Sequence, residues 1–192
     1  MKVWDDNESP VGYLITFRTH GTWLHGDKRT SVDRFKNKYG EPRIPERKER
    51  EEYNLKILIG QPVKLDARRR RAVRAAIEET CRRRGWVLRS INVRTNHTHV
   101  VVSASERDTG KILNAFKANA TRLMRESGCW NSEKSPWVDK GSQRVLWNEQ
   151  SLHYACDYVT NGQGRDLDDF DCWLKKKNPP ATAGGSPSSD QL

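Results

Sequence analysis

Between Trp86 and Ala104 two strand-like runs, Trp86-Val87-Leu88-Arg89-Ser90-Ile91-Asn92-Val93-Arg94 and His97-Thr98-His99-Val100-Val101-Val102, are separated only by Thr95-Asn96. So short a break between two β-branched runs predicts a hairpin of neighbouring strands. Helical patterns flank it on both sides. Upstream, Asp66 reads as an N-cap, Val73, Ala76, Ile77 and Cys81 recur at helical spacing over Ala67–Arg84, and Gly85 stops the run. Downstream, Asp108-Thr109 caps a second helix whose stripe is Ile112, Leu113, Phe116, Ala120, Leu123 and Met124, with Gly128 near its end.

The remaining segments complete the order. Val11–Thr19 reads as a first strand with Tyr13, Ile15 and Phe17 on one face and Leu14, Thr16 and Arg18 on the other. A turn with two glycines follows, His20-Gly21-Thr22-Trp23-Leu24-His25-Gly26. Gln143–Trp147 reads as a short fourth strand and Glu149–Asn161 as a last helix, broken at Gly162. Strand, helix, strand, strand, helix, strand, helix is the split βαβ order of an α+β, ferredoxin-like fold. It predicts an antiparallel four-stranded sheet with two helices on one face, the other face free for a site, and a C-terminal helix bearing Tyr154 and Tyr158. A single domain is expected over 1–175, with a charge-dense insertion at 27–61 and a disordered tail at 176–192 of linker composition. No internal repeat is evident.

Thirty-five Lys and Arg stand against 25 Asp and Glu, a formal charge of +10, and this favours a polyanionic partner, nucleic acid first. The helix over 67–84 carries Arg68, Arg69, Arg70, Arg71, Arg74, Arg82, Arg83 and Arg84 away from its apolar stripe; such a face is usually only solvated. No apolar run approaches the roughly 18 to 20 residues that span a bilayer, and Met1-Lys2-Val3-Trp4-Asp5-Asp6 lacks an apolar signal core. The expectation is a cytoplasmic protein, associated with the nucleoid when bound to DNA. Cys81, Cys129, Cys156 and Cys172 form no Cys-x-x-Cys pair, which predicts reduced packing residues and neither zinc ribbon nor disulfide framework.

Chemistry concentrates in two places. On a strand, residues two apart share a face, so His97 and His99 project together as a two-nitrogen claw while Thr98, Val100 and Val102 project into the core. Neutral imidazoles are common metal ligands, although a histidine pair at this spacing is more often a polar strand surface. The second place is His153-Tyr154-Ala155-Cys156-Asp157-Tyr158-Val159-Thr160-Asn161-Gly162-Gln163, whose tyrosines would otherwise read as amphipathic packing residues.

The fold order together with Phe17, Gly21-Thr22-Trp23-Leu24-His25-Gly26, Asn96-His97-Thr98-His99-Val100 and Tyr158-Val159-Thr160-Asn161-Gly162-Gln163 resembles the HUH-type single-tyrosine transposases, the insertion-sequence-200-like enzymes and their relatives associated with repetitive extragenic palindromes. The resemblance covers most of Val11 to Gln163. It implies His97 and His99 as paired ligands of a divalent ion, Mg2+ or Mn2+, Gln163 as third ligand and Tyr158 as nucleophile. Two departures stand out. The residue between the histidines, apolar and bulky in the family, is Thr98, and the position four after the tyrosine, where the family's amide usually lies, is Gly162. On an ideal helix Asn161 shares the face of Tyr158 and Gln163 does not, so Asn161 remains the alternative ligand. Tyr154, one turn earlier on the same face, is the alternative tyrosine.

The implied reaction is cleavage and rejoining of single-stranded DNA through a 5′-phosphotyrosine, with a hairpin commonly recognised beside the cut. Arg18, Trp23, Lys117 and Arg122 are candidates for the nucleic-acid groove. The rival readings are a catalytically inactive relative that binds hairpin DNA or RNA, and an unrelated RNA-binding ferredoxin-like domain, which would read bases with aromatics on its central strands. Relatives act as monomers or as homodimers that exchange tyrosine helices, and both remain open.

Overall fold

The computed structural model describes residues 9–28, 44–164 and 167; the tail 176–192, Cys172 and the middle of the 27–61 insertion lie outside the described residues. Period-two alternation in Gly12–Arg18 makes strand β1. Helix α1 is Lys48–Lys56 and helix α2 is Ala67–Arg84. Strands β2, Val87–Val93, and β3, His97–Ser103, form the hairpin. Helix α3, Thr109–Glu126, strand β4, Ser142–Leu146, and helix α4, Glu149–Asn161, complete the order. The sheet runs β2-β3-β1-β4 with every pair antiparallel, the ferredoxin-like arrangement. Among the described residues no helix is long and apolar enough to cross a membrane.

Local chemistry sets these boundaries. The Asp66 carboxylate accepts from the Arg69 N–H and Gly85 closes α2 in the left-handed region at φ 65°; Asp108 accepts from Gly110 and Lys111 at the start of α3. Tyr13, Ile15, Phe17, Val100 and Val102 form the sheet's side of the main core, and Val73, Ile77, Ile112, Phe116 and Met124 the helical side. A bulge at Arg89 shifts the β2 register between Leu88 and Ser90, so Leu88 and Ile91 both face α2 and α3.

Two differences from the sequence expectations bear on the site. The face opposite α2 and α3 is not free: α4 packs across it through Leu152, Ala155 and Val159, which form a second core with Val101 and Leu146. The insertion contains α1, which buries none of its residues. It folds back on the turn after β1, where His20 Nε2 lies 3.0 Å from Ile59 O and Asn54 Nδ2 donates to His25 O at 2.9 Å. Gly21 permits that approach, for at φ 70° it has room where a Cβ would stand 2.6 Å from Leu58 and 2.9 Å from Pro62.

Thr98 is fully buried on the core face of β3, and its Oγ1 is the buried side-chain polar atom among the described residues with no hydrogen-bond partner. A methyl fits there and a hydroxyl does not. Thr98→Val should therefore stabilise the fold by about 1–2 kcal/mol, measured by urea denaturation; an unchanged or lower midpoint would mean that the hydroxyl has a partner.

Candidate active site

The antiparallel registers carry Asn92, His99, Thr16 and Ser142 across the four strands as one row on the α4 face. His97 stands on the same face opposite Arg18. The His97 and His99 rings meet edge to face with centroids 4.8 Å apart. Alternation alone produces this pairing, and each ring is then held at its base. His97 Nδ1 is 2.7 Å from Asn96 Oδ1, and His99 Nδ1 is 2.7 Å from Thr16 Oγ1. An amide oxygen has no proton to give, so His97 Nδ1 is the donor, and in the neutral ring Nε2 is the nitrogen that carries the lone pair.

Helix α4 brings the tyrosine. Its start is capped by Asn148, whose side chain accepts from the Ser151 N–H, and its apolar positions Leu152, Ala155 and Val159 lie against the sheet. Two polar ties fix the far end on β2: Asn92 Nδ2 donates to Val159 O at 3.0 Å, and Ser90 Oγ lies 3.1 Å from Thr160 Oγ1. With those positions seated, Tyr158 sits on the rim of the interface. Its ring stands edge-on to His99, centroids 5.5 Å apart at 77°, while 47% of the residue remains exposed. Tyr154, one turn earlier, is 63% exposed. Its ring neighbours His153 at 6.4 Å and its phenol accepts from Gln150 Nε2 at 3.4 Å.

The end of α4 distinguishes the two amides. Asn161 Nδ2 donates to Asp157 Oδ1 at 2.7 Å along the exposed side of the helix. After Gly162 the chain turns, and Gln163 comes back to donate from Nε2 to Tyr158 O at 3.1 Å. Gly162 makes this return possible by close approach: a Cβ there would stand 2.7 Å from Tyr158 O and 2.9 Å from its ring.

Burial, at 7% exposure, pushes His99 down to about 4; the neighbouring His97 adds to the depression and the Gln163 hydrogen bond opposes it. His99 is accordingly neutral at physiological pH. Two imidazoles and one amide oxygen form a donor set suited to a divalent cation with coordination positions left over. Among the described residues no group of three His, Cys, Asp or Glu offers another. Burial pushes the Cys81 thiol up to about 11 and raises Cys156 as well, and Cys81, Cys129 and Cys156 are unpaired, so these sulfurs are packing groups.

The four candidate groove residues divide. Arg18 lies on the α4 face; its Nη1 donates to Trp23 O at 3.1 Å and its guanidinium lies 5.9 Å from the Trp23 ring centroid. Trp23 itself adopts φ 59°, a costly conformation for a bulky residue. Lys117 and Arg122 lie on α3, across the sheet from the histidines. Lys117 is buried and donates to the carbonyls of Val138, Asp139 and Lys140 at 2.7, 2.9 and 3.3 Å, while Arg122 pairs with Glu79 and Glu126 at 2.6 Å each. The fold thus uses both cations. The supporting residues Thr16, Asn92 and Asn96 were not among the expected site residues; for Thr16 the signal was its place in the Leu14, Thr16, Arg18 face.

The family model described as "Transposase IS200 like" matches residues 61–160. No curated protein matches the chain. Among solved structures, a REP-associated tyrosine transposase bound to a REP hairpin aligns at 13% identity and TM-score 0.42, over 83% of this chain and 70% of that one. A candidate transposase from Deinococcus radiodurans R1 aligns at 9% identity and TM-score 0.42, over 86% of this chain and all of that one.

The contact at Gly162 has a measurable consequence. Gly162→Ala should displace the Tyr158 turn and cost about 1–3 kcal/mol by overpacking, seen in thermal melts as a lowered midpoint. A variant as stable as the parent would show that the turn has slack.

Proposed function

The chain belongs to the IS200-like transposase family, and on that premise we propose that it cleaves and rejoins single-stranded DNA with Tyr158 as the covalent nucleophile. The observation that carries the reading is the convergence of Tyr158 on the histidine pair, its ring edge-on to His99 while nearly half the residue faces solvent. A nucleophile must be exposed to meet a polymeric substrate and must also lie beside the groups that polarise the phosphate. Tyr158 meets both conditions. Tyr154 meets only the first.

His97, His99 and Gln163 are the residues that would hold a divalent ion, Mg2+ or Mn2+. Such an ion supplies Lewis-acid polarisation of a non-bridging oxygen at the scissile phosphate. The chain's own residues do the rest. Thr16 and Asn96 hold the imidazoles in orientation, burial keeps His99 neutral, and the Leu152, Ala155 and Val159 seat aims the phenol. Tyr158 Oη bonds to phosphorus as the bond from phosphorus to the 3′ oxygen breaks. The phenol gives up a proton and the 3′ oxygen takes one, so one phosphodiester is exchanged for another. The product is a 5′-phosphotyrosine and a free 3′-hydroxyl that can reverse the step onto a new end. Because Tyr158 meets His99 of its own chain, we propose that one chain completes the site. The enzyme would act in the cytoplasm, on the nucleoid.

Incubation with labelled single-stranded hairpin oligonucleotides and Mn2+ should give a protein–DNA adduct on denaturing electrophoresis. Tyr158→Phe keeps the ring and should abolish the adduct, whereas Tyr154→Phe should still form it. An adduct that persists in Tyr158→Phe would reverse the assignment, and none in the parent across many hairpins would favour a binding-only relative. His97→Ala or chelation with EDTA should reduce the adduct by at least about 100-fold; undiminished activity in both would remove the metal. Mixing His97→Ala with Tyr158→Phe should not restore the adduct, since restoration requires helices exchanged between chains.

A further inference from the structure

Beside Tyr158, between α4 and β4, lies a cavity of about 410 Å3 bordered by Leu14, Arg144, Asn148, Gln150, Tyr154 and Tyr158. We propose that this groove is a subsite for one unstacked nucleotide of the bound strand, with Tyr154 as the stacking platform for its base and Arg144 as the contact to its phosphate. The proposal rests on the function given above and deepens it.

Three observations support it. The volume lies in the range of single small-ligand sites, roughly 300–1,000 Å3, and admits one nucleotide where a duplex would not enter. The lining has the chemistry of a nucleotide. Leu14 and Arg144 are register partners on adjacent strands and share the α4 face, so an apolar floor adjoins a guanidinium. Above them Tyr154 exposes 63% of its surface, belongs to neither core, and is steadied by the Gln150 amide at its phenol. An exposed aromatic beside a cation on an open groove is the arrangement that binds single strands with little regard to sequence. The groove also ends at Tyr158, so a nucleotide seated there is adjacent to the phosphate that Tyr158 attacks. Base stacking on Tyr154 would thus set which phosphate of a flexible strand is presented, and Tyr154 would act as a positioning residue.

The test measures binding apart from cleavage. Fluorescein-labelled single-stranded DNA of mixed sequence is titrated with the full chain, without divalent metal, and anisotropy is followed at several salt concentrations. Loss of one base stack predicts that Tyr154→Ala binds about 5- to 150-fold more weakly, and that Tyr154→Phe recovers most of that loss. On a strand made of abasic residues, Tyr154→Ala and the parent should bind alike. Arg144→Gln should reduce the magnitude of the logarithmic salt slope by about 0.7, one phosphate of a single strand. Parental affinity in Tyr154→Ala, a Phe variant as weak as Ala, or a deficit that persists on the abasic strand would each overturn the proposal. Were Tyr154→Ala to misfold, shown by circular dichroism, the parent's own preference for the normal over the abasic strand and the Arg144→Gln slope decide. The adduct assay on the same proteins separates the two readings: adducts with unchanged Tyr154→Ala binding overturn the groove alone, and a working groove without adducts overturns the cleavage alone.

Discussion

The seat of α4 on the sheet is the contact on which the site depends. Leu152, Ala155 and Val159 press on Val101 and Leu146, and every tyrosine position follows from that register. Residues four apart on a helix share a face, so once 155 and 159 point into the interface, 154 and 158 lie together along its edge above β1 and β4. The seat is a small core, separate from the one under α2 and α3. Burying a side chain of this size is worth roughly 1.5–3 kcal/mol, so α4 is held by far less apolar contact than the main sheet and helices. The polar ties from Asn92 and Ser90 then fix its direction as well as its attachment.

Strand β3 serves both cores at once, and its two faces impose opposite demands. On one side Thr98, Val100 and Val102 must be apolar and tightly packed. On the other stand His97 and His99, polar and each held by a side chain at its Nδ1. The pleat keeps the demands apart, since neighbouring side chains never share a face. Thr98 shows the cost of mixing them: a hydroxyl turned toward the core finds no partner. His99 shows how the polar side is made to work under burial. Its Nδ1 lies 2.7 Å from Thr16 Oγ1, and desolvation favours the neutral form of the imidazole.

Helix limits were legible wherever a cap coincided with a stripe. Asp66 with Gly85 marks α2 to the residue, and Asp108 opens α3. The shared face of His97 and His99 followed from alternation alone. What stayed hidden depended on contacts between distant segments. Helix α1, Lys-Glu-Arg-Glu-Glu-Tyr-Asn-Leu-Lys, has good helix formers but no apolar stripe and buries nothing, so periodicity could not reveal it. The coverage of the second face by α4 could not be read from one amphipathic helix, whose stripe does not say which surface it will meet. For the amide, the resemblance pointed to Gln163 and helical spacing to Asn161; the turn at Gly162, which spacing does not show, brings Gln163 back to Tyr158 O. Lys117 and Arg122 looked like surface cations because sequence shows charge and not the carbonyls or carboxylates that surround it.

The same distinction applies to the basic character of the whole chain. Arg68 and Arg69 donate to the carbonyls of Ser127 and Cys129 just past the end of α3, where the helix dipole leaves negative charge, and Arg70 and Arg74 donate to Leu65 O and Ile91 O. Bonding to a neutral carbonyl occupies a guanidinium's donors but leaves its charge, so these arginines still contribute to the long-range field of a chain with net charge +10. That field raises the rate at which a polyanion arrives without specifying where it lies. Register, by contrast, has to come from donors beside the reacting groups. Arg18 and Arg144 are the arginines that β1 and β4 carry on the α4 face, one opposite His97 and one beside the Tyr154 groove. In the proposed reaction most of the positive charge would attract the strand, and Arg18 and Arg144 on a single sheet face would align it.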